Sequence, residues 1–81
     1  ASYIQGVIDL YYINEKGNIV LVDFKTDKLK NKEDFVKKYK IQLDIYKEAL
    51  ERLTKLKVEK TYIYSFNLDC KIDLYDSLKG N

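Results

Sequence analysis

Five residues, NEKGN at 14–18, separate two runs that are rich in β-branched and aromatic side chains, SYIQGVIDLYYI before them and NIVLVDFKT after them. Such runs favour extended chain, in which successive side chains point to opposite faces. A three-residue loop Glu15-Lys16-Gly17 closes them into a hairpin, with glycine in the left-handed position where other side chains are strained. This loop pairs Asn14 with Asn18, so the numbers of paired residues sum to 32. Tyr11 then faces Leu21 and Ile13 faces Ile19. Further from the turn, Asp9 falls opposite Asp23, Val7 opposite Lys25 and Gln5 opposite Asp27. One face of the hairpin is therefore apolar near the turn and polar toward its open end. The reverse face, with Ile4, Gly6, Ile8, Leu10, Val20, Val22 and Phe24, is almost wholly apolar.

A long helix is expected next. Asn31 followed by Asp34 fits an N-cap and capping-box pair. Phe35, Tyr39, Tyr46, Ala49, Leu50 and Leu53 recur at helical spacing beyond it. Gln42 interrupts that stripe one turn before Tyr46, an amide where the pattern calls for an apolar group. KVEKTYIYSF reads as a third strand, and a strand–helix–strand crossover makes it parallel to the second. CKIDLYD alternates weakly and suggests a short edge strand. The predicted organisation is one domain over residues 1–81: hairpin 2–27, helix 32–55, strand 57–66 and tail 67–81. The fold class is α/β in the mixed, α+β sense.

Eighty-one residues allow only a thin core, which buries roughly 60% of the unfolded chain's surface. No apolar run approaches the roughly 18 residues of a membrane span, so a soluble, cytoplasmic domain is expected. The single Cys70 cannot form an internal disulfide, and with no histidine the chain cannot build a His-based metal site or a Ser-His-Asp or Cys-His centre. The absence of methionine points to a piece of something larger. Net charge is only +2, but residues 25–40 hold seven lysines against three acids. Such a segment can hold phosphates, since neutralising them releases counterions; a solvated loop and helix face is an equally good account of it.

The chemistry concentrates in LVDFKTD. Asp9 and Asp23 face each other, and like charges directly opposite are destabilising unless something intervenes. A hard divalent cation removes the conflict, and Mg²⁺ takes one or two carboxylates with waters and substrate phosphate. Lys25 lies on the same face, one strand step past Asp23. There it can stabilise charge developing on a phosphoryl oxygen or help deprotonate a metal-bound water. Two acids and a lysine around a metal suit phosphodiester hydrolysis. A slip of one residue in register would put the two acids on opposite faces and undo this site. Taken singly, D-x-K is a weak motif, and an exposed ion pair on a half-solvated strand, with Asp9 near a sheet edge, is the better account of it.

The motifs G-V-I-D at Gly6 to Asp9, D-F-K-T at Asp23 to Thr26 and Q-x-x-x-Y at Gln42 to Tyr46, in this order and at these intervals, resemble the RecB-type branch of the PD-(D/E)XK nuclease superfamily, in particular the nuclease region of bacterial helicase–nucleases. The resemblance runs from about Tyr3 to Phe66. It implies a partial restriction-endonuclease-like core that lacks its first helix. It also implies Asp9 and Asp23 as metal-binding acids, the Phe24 carbonyl as a further ligand, and Lys25 as the catalytic lysine. Gln42 and Tyr46 would position the site or the DNA strand. The implied activity is Mg²⁺-dependent cleavage of DNA, with Mn²⁺ as a substitute, by an exonuclease acting in double-strand break resection and recombinational repair. The implied partners are DNA, the remainder of a parent helicase–nuclease and its second subunit. The family's first helix often supplies another metal ligand, yet only eight residues precede Asp9, and there is no G-x-x-x-x-G-K-[ST] phosphate loop for an ATPase motor.

Two other readings compete: a non-catalytic DNA-binding or scaffolding module with a nuclease-like fold, and an unrelated small α+β interaction domain, which would separate Asp9 from Asp23. One helix can cover only one face of the sheet, so an exposed apolar patch is expected on the other, with Ile41 and Ile45 as further docking surface on the helix. Self-association of the chain would follow.

Overall fold

Asn14 organises the turn on which the sheet is built. Its Oδ1 accepts the backbone N–H groups of Lys16 and Asn18, both at 3.0 Å. Its own N–H donates to the Asn18 carbonyl at 2.8 Å, and Gly17, at φ 80°, donates to the Asn14 carbonyl at 2.9 Å. In this computed structural model, which describes residues 8–75, the turn joins β1 (Leu10–Ile13) to β2 (Ile19–Lys25). The two strands pair antiparallel as Leu10 with Val22, Tyr11 with Leu21, Tyr12 with Val20 and Ile13 with Ile19. This is the register expected from the loop length. The pairings expected for Val7 and Gln5 lie outside the described residues.

The helix α1 (Lys32–Thr54) starts where its cap requires. Asn31 is extended, and its Oδ1 accepts the Asp34 N–H at 3.0 Å, while Glu33 and Asp34 place negative charge at the positive end of the helix dipole. The helix ends at Lys55, which turns left-handed at φ 63° and returns its N–H to the Glu51 carbonyl at 2.9 Å. Phe35, Val36, Leu43, Tyr46 and Leu50 form its buried stripe. Leu53, expected in that stripe, is 77% exposed; Leu56, just past the helix, packs against the core instead.

The helix returns the chain to β3 (Val58–Ser65), parallel to β2, and β4 (Cys70–Asp73) pairs antiparallel with β3. The sheet order is β1-β2-β3-β4, so the strand carrying Asp23 and Lys25 is interior. An irregularity between Ile19 and Val20 lets Val58 pair with Ile19 and Lys60 with Val20, leaving Glu59 as an extra residue. Glu59 Oε1 accepts from the Asn14 and Asn18 side chains at 2.9 and 3.0 Å, which fastens the hairpin turn to β3. Because of that extra residue, even-numbered Val58 and odd-numbered Thr61, Ile63 and Ser65 are all buried with the core.

Ile19, Leu21, Ile63, Ile72 and Leu74 meet Phe35, Leu43 and Leu50 between sheet and helix. The opposite face carries Leu10, Tyr12, Phe24 and Phe66, each at least 41% exposed. The apolar patch expected from the one-helix count is present, and Ile41 and Ile45 are exposed on the helix. Among the described residues no helix is long and apolar enough to cross a membrane.

Candidate active site

The helix-facing side of β2 reads Ile19, Leu21, Asp23, Lys25, so the strand turns polar at its C-terminal end. Asp23 is 3% exposed, a depth at which carboxylates are ordinarily paired. Its Oδ2 lies 3.0 Å from Lys25 Nζ, an ion-pair contact. Burial raises the pKa of Asp23 above the usual 3.8, attraction to Lys25 opposes this, and the nearby Asp9 carboxylate adds to the rise. For Lys25, burial works to lower the pKa, but the neighbouring Asp23 outweighs it and the ammonium is held above its usual 10.5.

Asp9 extends the hairpin by one residue beyond β1. Its Oδ2 accepts the Phe24 backbone N–H at 2.9 Å, which brings its charge to bear on Asp23. The two acids are thus on the same side of the hairpin, as the loop-derived register requires, and the arrangement that would have marked an unrelated domain is not found. Phe24 joins the group through its backbone, while its ring lies on the opposite face against Tyr64 and Phe66.

The helix contributes from above. Gln42 Oε1 is 3.5 Å from Lys25 Nζ, a long contact. Tyr46, one turn on, is buried in the core at 3% exposure, and among the described residues no hydrogen bond ties it to Asp23, Lys25 or Gln42. Sequence reasoning missed Tyr39 as a partner of the site. Its ring centroid lies 4.1 Å from Lys25 Nζ, and its hydroxyl donates to the Asp27 carboxylate, 2.8 and 2.7 Å from the two oxygens. Asp27 also holds Lys38 at 2.6 Å. The sequence held only part of the signal: Asp27 shares strand parity with Asp23 and Lys25, and Tyr39 stands one turn before Gln42, but the distance between helix and strand is not written in it.

Among the described residues no three His, Cys, Asp or Glu side chains gather as a metal cluster. A cation here would rest on two carboxylates, with waters and substrate oxygens completing its shell, which suits Mg²⁺. The donors fit it: hard oxygens, mutual repulsion between Asp9 and Asp23, and a buried Asp23 carboxylate whose desolvation the Lys25 ammonium offsets only in part.

Residues 2–74 match the family model of the PD-(D/E)XK nuclease superfamily. Proteins named as ATP-dependent helicase/nuclease subunits are similar over most of the chain. That of Clostridium perfringens is 41% identical over 73 residues, covering 88% of this chain and 6% of its own length. That of Clostridium kluyveri is 44% identical over 71 residues, with the same shares of each chain. That of Syntrophomonas wolfei is 46% identical over 68 residues, covering 82% of this chain and 5% of its own length. The chain therefore spans about one-twentieth of the curated relatives it matches. With the family match running through the hairpin, the helix and both later strands, this chain belongs to the PD-(D/E)XK nuclease superfamily.

Proposed function

We propose that this chain carries the metal-binding and catalytic groups of a Mg²⁺-dependent DNA nuclease. It would form part of a single domain that continues in a larger helicase–nuclease working with a second subunit. The observation that carries the reading is the convergence of Asp9, Asp23 and Lys25 at one end of the sheet, with Asp23 buried and 3.0 Å from the lysine. Asp9 and Asp23 would hold the cation, with the Phe24 carbonyl as a further ligand. When bound, the cation would supply Lewis-acid polarisation of the phosphate and a more acidic water.

Lys25 has two conceivable roles, and its surroundings favour one. An ammonium paired with a buried carboxylate is held in its charged form, so it suits stabilising negative charge on a phosphoryl oxygen better than taking up a proton. Gln42 would orient that ammonium from the helix, and Tyr46 would support the helix from the core. The relatives are named as ATP-dependent helicase/nuclease subunits. The resemblance of the motifs would extend this to exonuclease action on DNA in double-strand break resection and recombinational repair, in the cytoplasm.

The test is cleavage of linear DNA by the full polypeptide that contains these residues, comparing the parent with Lys25→Ala and Asp23→Ala. Losses of at least about a hundredfold in kcat are expected, the scale of removing one preorganised charge-stabilising group. DNA binding without cleavage by the unaltered protein would instead favour the non-catalytic module.

A further inference from the structure

We propose that Tyr39 is a positioning residue for Lys25, its ring sheltering the ammonium and its hydroxyl anchored by Asp27. The inference rests on the nuclease reading for its catalytic consequence, though not for its geometry. Among the described residues, Lys25 Nζ meets Asp23 Oδ2 at 3.0 Å, Gln42 Oε1 at 3.5 Å and the Tyr39 ring, its centroid at 4.1 Å. Asp23 is the strongest of these, but it is also a candidate cation ligand. A carboxylate engaged by a divalent ion attracts a neighbouring ammonium less, so Lys25 needs a second hold where its charge is used. The Gln42 contact is too long to supply it alone. A tyrosine face at 4.1 Å does supply it, because the ring quadrupole attracts a cation without accepting its proton.

The ring is itself fixed. Asp27 follows Lys25 by two residues, so the Tyr39 hydroxyl is held by the same segment that carries the lysine. Lys38 closes on Asp27 from the next helix position at 2.6 Å, and its Nζ lies 5.3 Å from the Tyr39 centroid. Strand end and helix are thereby locked together at the catalytic lysine. The Tyr39 hydroxyl is engaged by Asp27 rather than by Asp9 or Asp23, so its effect would pass through Lys25.

The experiment compares Tyr39→Leu, which removes ring and hydroxyl, with Tyr39→Phe, which keeps the ring, both in the full polypeptide. Two readouts are taken: steady-state cleavage of linear DNA, and acylation rates of individual lysines by an amine-reactive ester, followed by peptide mass spectrometry. Tyr39→Leu is expected to lower kcat about tenfold or more with KM within about twofold. Tyr39→Phe is expected to recover most of that loss. Lys25 should label at least about three times faster in Tyr39→Leu than in the parent, while Lys40, paired with Asp44, keeps its rate. General unfolding would raise labelling at both lysines and in both variants.

Equal loss of kcat in the two variants, or Lys25 labelling at the parental rate in Tyr39→Leu, would overturn the inference. Full cleavage by Lys25→Ala would overturn the catalytic consequence together with the role given to the lysine. The labelling comparison would still decide whether the ring shelters the amine.

Discussion

The Asp9 carboxylate accepts the backbone N–H of Phe24 at 2.9 Å, so the residue before β1 is fastened to the strand that carries Asp23 and Lys25. Two functions meet in that side chain. It closes the open end of the hairpin, and it brings a second negative charge beside a buried one.

Asp9→Asn separates the two. Asparagine keeps a side-chain carbonyl that can accept the Phe24 N–H, but it loses the charge. Stability should therefore change by no more than about 0.5 kcal/mol, as for most exposed substitutions. Affinity for Mn²⁺ or Mg²⁺ should fall at least about tenfold, since even groups one layer outside a metal's ligands cost that much. Calorimetric titration of the metal alongside thermal melting checks both; loss of the fold with unchanged metal affinity would show that Asp9 is only structural.

At Asp23 the sign of the charge effect can be worked out. Burial and Asp9 raise its folded pKa above the ordinary 3.8 despite Lys25. A carboxyl with a raised folded pKa favours the folded state while protonated, and that contribution is lost as pH rises through the folded value. At neutral pH without metal, the ionised side chain therefore weakens the fold. Asp23→Asn should melt at a higher temperature than the parent in the presence of a chelator, with the difference shrinking on acidification toward the unfolded pKa. The same variant should not cleave DNA. A lower melting temperature for Asp23→Asn at neutral pH would mean that Lys25 compensates the buried charge fully.

Much of this was legible in the sequence because a few local rules act together. Gly17 and the length of its loop set the register, and the register alone predicts that Asp9 and Asp23 share a side. Asn31 marks the helix start to the residue. What was not legible depended on distances between elements. Gln42 and Tyr46 look alike as members of one motif, yet the helix rotation turns Gln42 toward Lys25 and leaves Tyr46 in the core. Tyr39 reads as one more aromatic in an apolar stripe; only the spacing of helix and sheet puts a cation over its ring. Leu53 continues the periodicity but lies on the last turn, where the chain buries Leu56 instead.

The basic segment can be resolved into lysines with partners and lysines without. Lys25, Lys38 and Lys40 are ion-paired. Lys28, Lys30, Lys32 and Lys37 are exposed and form no ion pair among the described residues. Lys28 and Lys30 follow the strand end that carries Lys25 in sequence, and Lys32 and Lys37 lie in the first two turns of the helix. If DNA enters the site from this side, they would meet its phosphates. Each contact with a phosphate adds about 0.7 to the slope of log affinity against log salt on single strands. Replacing all four by glutamine should reduce that slope by about 3 if each meets a phosphate, and weaken binding similarly for any base sequence. An unchanged slope would return the segment to a solvated loop.

The face opposite the helix makes a prediction of a different kind. Phe24, Tyr64 and Phe66 pack ring against ring there, with centroids 5.2 to 6.3 Å apart, and Leu10 and Tyr12 extend the patch across β1. Phe66 is 58% exposed and Tyr12 is 50% exposed, so large apolar groups meet water on this face from β1 to the end of β3. Patches of more than a few hundred Å² are uncommon on monomers, because burying them releases about 25 cal/mol per Å². The chain on its own should therefore associate as its concentration rises and bind an apolar dye. Phe66→Ser together with Tyr12→Ser should weaken both behaviours without disturbing the Asp23–Lys25 pair, which lies on the other side of the sheet. Sedimentation velocity across a range of concentrations, with dye fluorescence on the same samples, checks this. A monomer at every concentration with no dye signal would show that these rings are satisfied by their own mutual packing.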